Sequence, residues 1–574
     1  MTRAPVMTFH SEAPAVTSDP RAPARAWRRR LDGALFVMVF TALLVLPPVG
    51  HHLIVKSDEA RFALLARDMV RRGAWFSAEV EGQPYRNKPL LFPWTIAVLS
   101  RLRGAVTEGT AQLPAAAAAV AAALCTFLLG DRLFGRRAGL WAALILATSA
   151  SVFSHSQQIL PDMLVVAFAT ACAYAFWRAM TEPPGTLALV GFYAAFAFGV
   201  FAKGPAGLLP ILVAAVWLWT QHGVRGLARL WSPVGLAVFG AVTLAWLGPF
   251  LYAGSRSFGE SVLLQDWLAT YVGLPLPRRV VSYLVDALVG FLPWTLVLPL
   301  ALGHAVRARR DPAVRFALLS FAIPLLVIVF SKSRLPRYLL PVYPGAALLA
   351  AWWADTHGAG RSLLARVLGW LSFAGVAAAL ALLPALSAVK DSEIPLDPNL
   401  AWTALPVLAC TLLLGVAFLL GLRDGKPTLL VVGGAALMAV QLGYGVWLAN
   451  RWTDRTEDFR AVAATVRRHA PDGDLRVFTQ AKLLPMDFYF GRELPRLMTV
   501  DELRGYLAGD QRPTVLIDAQ NLRVTPPELL QDLRVLETLR IHEQSLFILG
   551  CGAAERGAGS PRCIATGTLE PARR

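Results

Sequence analysis

Two adjacent acids stand just outside the first long apolar stretch of the chain. The stretch runs from Leu31 to Val55, and Asp58 and Glu59 follow almost at once. An ionised carboxylate costs a few kcal/mol inside hydrocarbon, so acids at this position belong at the water boundary or in a cavity, often with a function. A carboxylate there could position or deprotonate an incoming group in a transfer reaction. The pair is therefore the first candidate for chemistry.

A further acid and several cations lie beside other apolar stretches. Lysine and arginine offer point charges and forked donors that match phosphate oxygens. Carboxylates could hold an acceptor while the cations stabilise a departing phosphate, which is the arrangement needed for transfer from a polyprenyl-phosphate sugar. The predicted catalytic acids are Asp58 and Asp162, and the predicted phosphate-binding residues are Lys88, Lys203, Lys332, Arg334 and Arg337.

Most of these residues also have an ordinary structural explanation. Asp58 and Asp162 could cap the helices that begin beside them. Lys88 could be an interfacial lysine that reaches water, and Lys203 could mark a tight turn. The basic run at 332–337 is the hardest to explain in this way. The main evidence for a site is that all of them fall on one side of the predicted membrane topology.

The composition indicates a helical membrane protein. Of 574 residues, 56% are hydrophobic and 16% are charged, whereas a soluble domain is nearer a quarter charged. The apolar runs recur along the chain, as in a multi-span protein. The net charge of +17 comes from arginines in short loops and tails, as the positive-inside rule requires, so no nucleic-acid partner is expected. Basic residues Arg25 to Arg30 precede the first span without a clear cleavage site, which predicts a retained anchor.

Thirteen spans are predicted, with basic connectors that place the N-terminus in the cytoplasm and the chain beyond the last span outside it. The spans are 31–55, 113–130, 137–155, 161–180, 185–202, 205–220, 232–252, 282–303, 314–331, 338–354, 363–388, 401–422 and 427–448.

Residues 56–112 are predicted to form one external loop. Its apolar part, Pro89 to Leu102, is about fourteen residues long, and a span needs about twenty. The loop would carry amphipathic helices on the membrane surface, such as Glu59 to Arg72, and a re-entrant or interfacial segment at 89–102. This topology brings the acids and the predicted phosphate-binding cations to the external face.

The predicted domain organisation has four parts. A cytoplasmic basic tail at 1–30 precedes a transmembrane domain at 31–450. A small external α/β domain follows at 451–552, and a disordered tail at 553–574. Within the α/β domain, Glu457 to His469 and Asp501 to Leu507 show helical patterns, and Arg476 to Phe478 and Val515 to Ile517 show strand patterns.

The five cysteines show no zinc-ligand spacing. Cys125, Cys172 and Cys410 fall in apolar spans and are expected to be inert packing residues. Cys551 and Cys563 lie in the polar tail, where they could form a disulfide if that tail is outside the cytoplasm.

Several motifs carry a resemblance to a known family. At these motifs the chain resembles the integral-membrane, lipid-carrier-dependent glycosyltransferases, namely the bacterial lipid A aminoarabinose transferases and their relatives near the protein O-mannosyltransferases. The resemblance covers about residues 31–350. The motifs are Asp58 to Phe62, Tyr85 to Leu90, Phe291 to Trp294, Ser331 to Pro341 and Tyr343-Pro344.

The resemblance implies an all-α polytopic fold of about thirteen spans, the C-type glycosyltransferase fold, with the active site at the periplasmic face of the bacterial inner membrane. It implies an undecaprenyl-phosphate sugar donor and transfer with inversion. By position, Asp58 matches the family's essential acid and Asp162 a second functional acid. Lys88, Lys203 and Arg337 match positions that could hold the donor phosphate, and Lys332 and Arg334 match less closely. The expected supporting residues are Glu59, Arg61, Tyr85 and Tyr343.

Two departures from the family pattern bear on specificity. Phe62 stands where the family often has tyrosine, and a hydroxyl is lost. Asn87 stands where lipid A transferases commonly have a glutamate associated with a bound metal. Asn87 therefore leaves no firm basis for a metal here, and it weakens the assignment to aminoarabinose.

The leading hypothesis is a monomeric inner-membrane glycosyltransferase that modifies lipid A or another envelope glycan. If the acceptor is a lipid A phosphate, the nucleophile is already anionic, since phosphomonoesters have a second pKa of about 6, and Asp58 would position it. If the acceptor is a hydroxyl, Asp58 must act as the base. The alternatives are protein O-glycosylation and a lipid-linked sugar transporter. A transporter should carry ionisable residues at mid-membrane in repeated broken helices, and here they lie at one face.

Overall fold

The structure of the protein is a computed structural model that describes residues 22–85, 88–183, 185–254, 277–331, 335–357, 363–387, 401–470, 475–479, 483–509, 513–531, 533–541 and 544–550. The predicted tail at 553–574, Cys551, Cys563, Asn87, Lys332 and Arg334 lie outside these residues.

Helices form most of the described chain up to residue 456, and the long apolar ones are expected because in hydrocarbon a backbone must satisfy its hydrogen bonds internally. These helices are α1 (Ala22–Val45), α2 (Ser57–Arg72), α3 (Leu91–Arg103), α4 (Glu108–Phe134), α5 (Arg136–Ala147), α6 (Ala150–Ser156), α7 (Asp162–Thr181), α8 (Thr186–Lys203), α9 (Leu209–His222), α10 (Pro233–Gly254), α11 (Pro277–Gly290), α12 (Leu298–Arg307), α13 (Pro312–Val329), α14 (Tyr343–His357), α15 (Leu363–Ser387), α16 (Ala404–Asp424) and α17 (Pro427–Thr456). Short 3₁₀ segments link some of them, at Gly204–Leu208, Val224–Leu230, Trp294–Leu296 and Pro336–Val342.

The chain is a multi-pass membrane protein. Within the described residues, seven helices are long and apolar enough to cross a membrane, or eight if the bent pair α5 and α6 is one span. This confirms the multi-span helical class. The count of thirteen stays a prediction, because several predicted spans are too short or interrupted to qualify by length and composition.

Breaks in the helices account for part of the difference in count. The span predicted at 137–155 is divided between α5 and α6, which are bent by 62°. The span predicted at 282–303 is divided between α11 and α12 around Pro293, since proline donates no helical hydrogen bond. Thr186–His222 counts as one candidate span where two were predicted, although a 3₁₀ turn separates α8 from α9.

The loop predicted at 56–112 has the expected elements. It contains α2, a two-stranded hairpin of β1 (Glu79–Val80) and β2 (Gln83–Pro84), and α3. α3 has 13 residues, too few to span a bilayer. α2 turns its apolar face inward, and the Phe62 ring meets the Phe92 ring of α3 edge-to-face at 5.4 Å.

A small mixed sheet follows the last apolar helix. Its strands are β3 (Leu475–Phe478), β4 (Thr514–Asp518), β5 (Arg534–Ile541) and β6 (Gln544–Gly550), in the order β3-β4-β6-β5. β3 runs parallel to β4, and the other neighbours are antiparallel. Its helices are α18 (Phe459–His469), α19 (Leu484–Phe490), α20 (Val500–Gly509), α21 (Ala519–Val524) and α22 (Pro527–Leu530).

Two of the predicted domain boundaries, which stay predictions, fall within helices. α1 begins at Ala22, inside the predicted basic tail, and α17 continues to Thr456, past the predicted boundary at 450. The helical backbone hydrogen bonds continue through the basic residues at both places, because Arg, Ala and Trp are compatible with a helix. The two helices and two strands predicted in the α/β domain are present as α18, α20, β3 and β4.

The α/β domain is joined to the loop by α19. Leu484 and Phe488 are buried in the same apolar core as the membrane helices. Arg67 of α2 donates to the carbonyl oxygens of Asp487 and Phe488 at 3.3 and 2.6 Å, and Arg71 donates to that of Gly491 at 2.8 Å. The last carbonyls of a helix lack intrahelical partners and favour cations. The end of α19 therefore holds the outer face of α2.

Candidate functional site

Asp58 lies in the first turn of α2 and links two elements that are distant in sequence. Its Oδ1 accepts from Arg61 Nη1 at 2.7 Å, and its Oδ2 accepts from Arg337 Nη2 at 3.2 Å. Arg337 comes from the 3₁₀ segment before α14. The position that caps α2 is Lys56, and no side-chain capping bond forms there. The capping explanation for Asp58 is therefore wrong, and the carboxylate serves an ion-pair network.

Asp162 and Lys203 form a second acid–cation pair. Asp162 is the first residue of α7 and Lys203 the last residue of α8, and Lys203 Nζ donates to Asp162 Oδ1. Only 4% of the Asp162 side chain and 9% of the Lys203 side chain are exposed. No side-chain bond caps α7, so the capping explanation for Asp162 is also wrong. Lys203 Nζ also lies 4.2 Å from the centre of the Tyr338 ring, a favourable cation–π distance.

Lys88 adds a further positive charge to the same end of the molecule. Burial lowers its pKa, and so do the charges of Lys203 and Arg337, while Asp162 and Tyr338 oppose the shift. These four groups therefore lie close enough to interact with Lys88. In the described part of the chain Lys88 makes no ion pair, which leaves its charge available to an incoming anion.

The charges around Asp58 keep it ionised. Partial burial alone would raise its pKa, but the hydrogen bond and charge of Arg337, with the charges of Arg61 and Lys88, lower the pKa below its usual value. Together the described side chains of the cluster comprise two carboxylates and four cations, namely Asp58 and Asp162 with Arg61, Lys88, Lys203 and Arg337. The excess of positive charge suits a phosphate.

A small cavity is lined by the Asp162–Lys203 pair and by Arg337, and it shares two lining residues with a neighbouring apolar cavity. Its polar wall is formed by Asp162, Lys203, Arg337 and Tyr338. Leu209 and Pro341 line both this cavity and a second cavity deeper in the bundle. The deeper cavity is almost wholly apolar and lies among α7, α9, α13 and α14. Charged side chains and an apolar lining thus lie next to each other at this end of the bundle.

The predicted supporting residues occupy different places. Arg61 is in the network through Asp58, whereas Glu59 is fully buried beside His52. Tyr85 packs edge-to-face on Phe62 at 6.5 Å. Tyr343 stacks on Phe291 at 5.8 Å, so the structure gives it a packing position in the core.

Sequence reasoning missed two residues near these groups. Tyr338 follows Arg337 directly in the basic run, and its ring contacts Lys203. His52 precedes α2, and its Nε2 lies 3.0 Å from Glu59 Oε2. The signal for Tyr338 was its place in the motif; the pairing of His52 had no signal in the sequence. Among the residues that the structure describes, no group of three or more His, Cys, Asp or Glu side chains could hold a metal ion.

Comparison with known proteins gives the family context. Residues 87–252 match the family model described as dolichyl-phosphate-mannose-protein mannosyltransferase. An undecaprenyl phosphate-alpha-4-amino-4-deoxy-L-arabinose arabinosyl transferase of Sodalis glossinidius is 30% identical over 352 residues, which are 58% of this chain and 62% of that protein. Over part of its length the chain is similar to these glycosyltransferases. The resemblance inferred from the motifs is thus confirmed.

Two further comparisons define the extent of the likeness. A transferase with the same activity name from Pseudomonas fluorescens is 28% identical over 62% of this chain and 65% of its own length. The similarity therefore spans slightly less than two thirds of these relatives. The crystal structure of ArnT from Cupriavidus metallidurans bound to undecaprenyl phosphate superposes with a TM-score of 0.74, covering 90% of this chain and 97% of that one at 19% identity. The two proteins share a fold.

Proposed function

We propose that this protein transfers a sugar from undecaprenyl phosphate to an acceptor of the bacterial envelope, with lipid A as the leading acceptor. The observation that carries the proposal is that Arg337, which pairs with Asp58, lines the same small cavity as the Asp162–Lys203 pair. The named relatives that use undecaprenyl-phosphate-linked aminoarabinose support the choice of donor.

The site supplies charges where the transfer reaction needs them. The acceptor oxygen would attack the anomeric carbon of the sugar, and the bond from that carbon to the phosphate oxygen would break with inversion. The electron pair leaves with the phosphate, which Lys88, Lys203 and Arg337 would stabilise. Lys332 and Arg334 remain proposed contributors. Asp58 and Asp162 would hold the acceptor and the cations in register.

The low pKa of Asp58 favours an acceptor that is already ionised. A carboxylate paired with Arg61 and Arg337 is a weak base, so it suits the positioning of an anionic nucleophile better than removal of a proton. A lipid A phosphate is such a nucleophile. An acceptor hydroxyl would require Asp58 to take the proton. Asp58 could do so only after the donor phosphate had bound Arg337 in its place, since loss of that ion pair makes the carboxylate a stronger base.

A protein acceptor is the second candidate. The description of the matching family model, a protein mannosyltransferase, supports it. In either case we propose thirteen spans, a cytoplasmic N-terminus, and a periplasmic face that carries the site and the α/β domain.

The proposal is tested by comparing the envelope of a strain that lacks the gene with that of its parent. Mass spectrometry of lipid A, envelope glycans and glycoproteins should show one sugar-bearing species lost in the deletion strain and restored by complementation. A change in lipid A supports the leading acceptor, and a change confined to glycoproteins supports the second. Identical profiles in conditions where the gene is expressed would contradict sugar transfer.

A further inference from the structure

Glu59 is a fully buried acid beside the proposed catalytic carboxylate, yet it faces a different direction. Successive residues on a helix are turned by about 100°, so Asp58 points to Arg337 while Glu59 points into the core, with 0% of its surface exposed. Its Oε2 lies 3.0 Å from His52 Nε2. Its Oε1 has no hydrogen-bond partner in the described part of the chain. His52 therefore provides the side-chain hydrogen bond that stabilises this carboxylate.

His52 lies near both the start of α2 and α17. Its imidazole bonds Glu59 of α2, and Asn450 of α17 and Lys56 of the connecting turn also influence its pKa. Burial lowers the pKa of His52, but the bond and charge of Glu59, together with Asn450, outweigh burial and Lys56, so the pKa is raised. The protonated imidazole is therefore favoured as the partner of the Glu59 carboxylate.

The segment that carries His52 is itself fixed to the membrane bundle. Gly50 N donates to Gln112 Oε1 of α4 at 2.7 Å, and Gln112 Nε2 donates to the carbonyl oxygen of Gln157 at 2.6 Å. Gln157 Nε2 in turn donates to the carbonyl oxygen of Val45 at the end of α1 at 3.0 Å. His52 thus extends from a rigid polar network to the first turn of α2.

We infer that His52 and Glu59 are positioning residues, which fix the first turn of α2 so that Asp58 faces Arg337. This inference rests on the proposed transferase function. α2 lacks a side-chain helix cap, and the His52–Glu59 pair takes its place in fixing the direction in which the chain enters the helix. Loss of the pair would let the first turn rotate or fray, and a shift of about 1 Å at a catalytic group can cost on the order of 100-fold in rate.

The pair gives the reaction a pH dependence with a definite sign. Because the pKa of His52 is raised in the folded protein, the imidazole carries its charge below that pKa, and the ion pair is lost as the pH rises through it. The rate of transfer should therefore fall on the alkaline side of the His52 titration. Asp58, whose pKa is lowered, titrates on the acidic side and does not produce this limb.

The test compares His52→Gln and Glu59→Gln with His51→Gln in purified full-length protein. His51 is the adjacent histidine and its side chain is exposed, so it controls for the loss of an imidazole. The kinetic constants are measured over a range of pH with undecaprenyl-phosphate sugar as donor and purified lipid A as acceptor. Thermal unfolding of each variant shows whether it remains folded.

We expect His52→Gln and Glu59→Gln to lower kcat by about tenfold or more, with the donor KM nearly unchanged. The kcat of the double variant should be no lower than that of the less active single variant, because the two residues act as one pair. The alkaline limb that follows the His52 titration should be present in the wild type and in His51→Gln and absent in His52→Gln. The separate loss of rate from deprotonation of Lys88, whose pKa is lowered, should remain in every variant.

Folded His52→Gln protein with the kcat and pH profile of His51→Gln would overturn the positioning role. The wild-type profile is an independent check, since it needs no variant: the absence of an alkaline limb there would also overturn it. Failure of the wild type to transfer sugar to lipid A or to a protein acceptor would instead contradict the proposed function, so the two failures are distinguishable.

Discussion

Arg337 has two tasks that explain its place between the acids. It holds Asp58 at 3.2 Å, and it lines the small cavity together with Asp162 and Lys203. A donor phosphate in that cavity would compete with Asp58 for the guanidinium. We expect donor binding to loosen the Asp58–Arg337 pair and leave Asp58 free to meet the acceptor, so that the site is completed only when the donor is bound.

Lys88→Met should weaken donor binding by roughly 10- to 100-fold, since a charge-assisted hydrogen bond contributes about 1.5–3 kcal/mol. The charge of Lys88 is left unpaired among the described residues and its pKa is lowered, so a phosphate gains from it. The matched control is Arg103→Met, which removes one exposed cation at the end of α3.

Isothermal titration of each variant with undecaprenyl phosphate measures the effect of Lys88. Equal affinity in Lys88→Met and Arg103→Met would contradict the phosphate role. The affinity should also fall with rising salt in the wild type, because screening weakens the attraction of the exposed part of the cluster.

Much of the site could be predicted from residue types and the topology. The parity of the spans brought Asp58, Lys88, Asp162, Lys203 and Arg337 to one face, and the structure places these side chains within interaction range of one another. Which cation pairs with which acid could not be predicted, because hydrogen bonds such as that from Arg337 to Asp58 join residues 279 positions apart. The use of the two acids as ion-pair partners rather than helix caps required the tertiary structure.

At the scale of elements, α2 is held on its outer face by the α/β domain. The guanidinium of Arg67 bonds two carbonyls at the end of α19 and stacks over the Phe488 ring at 4.4 Å. Tyr489 OH accepts from Ile54 N at 2.8 Å, just before α2. The domain was predicted from its strand and helix patterns, but its docking was not, since docking depends on contacts more than 400 residues apart in sequence.

Arg67→Met should therefore reduce transfer by loosening α2, and should destabilise the protein by roughly 1–3 kcal/mol. The matched control is Arg72→Met. Arg72 also lies on α2, but it pairs with Asp68 and Glu79 within the loop. The measurements are thermal unfolding in detergent and hydrogen exchange of the α2 amides. Equal exchange rates in the two variants would show that α19 does not hold α2.

At the scale of the whole molecule, the proposed orientation places the α/β domain and the connector after α16 on opposite sides of the membrane. Met498 is 69% exposed in the domain, and the Arg423 side chain is 75% exposed at the end of α16. Single cysteines at these two positions, in a cysteine-free background, report the side that each occupies.

A membrane-impermeant maleimide added to intact spheroplasts should label Met498→Cys, and should label Arg423→Cys only after lysis. Spheroplasts are suitable because the inner membrane is their outer boundary. The reverse pattern would invert the topology and place the acid–cation cluster on the cytoplasmic face.

The central claim is that Asp58, in its network with Arg337, enables sugar transfer from a polyprenyl-phosphate donor. It is tested most directly by measuring the release of undecaprenyl phosphate from a sugar-linked donor by purified protein with lipid A present. We expect acceptor-dependent release by the wild type, and a loss of at least about 100-fold in Asp58→Asn, with donor affinity retained. Equal rates for the folded Asp58→Asn variant and the wild type would contradict it.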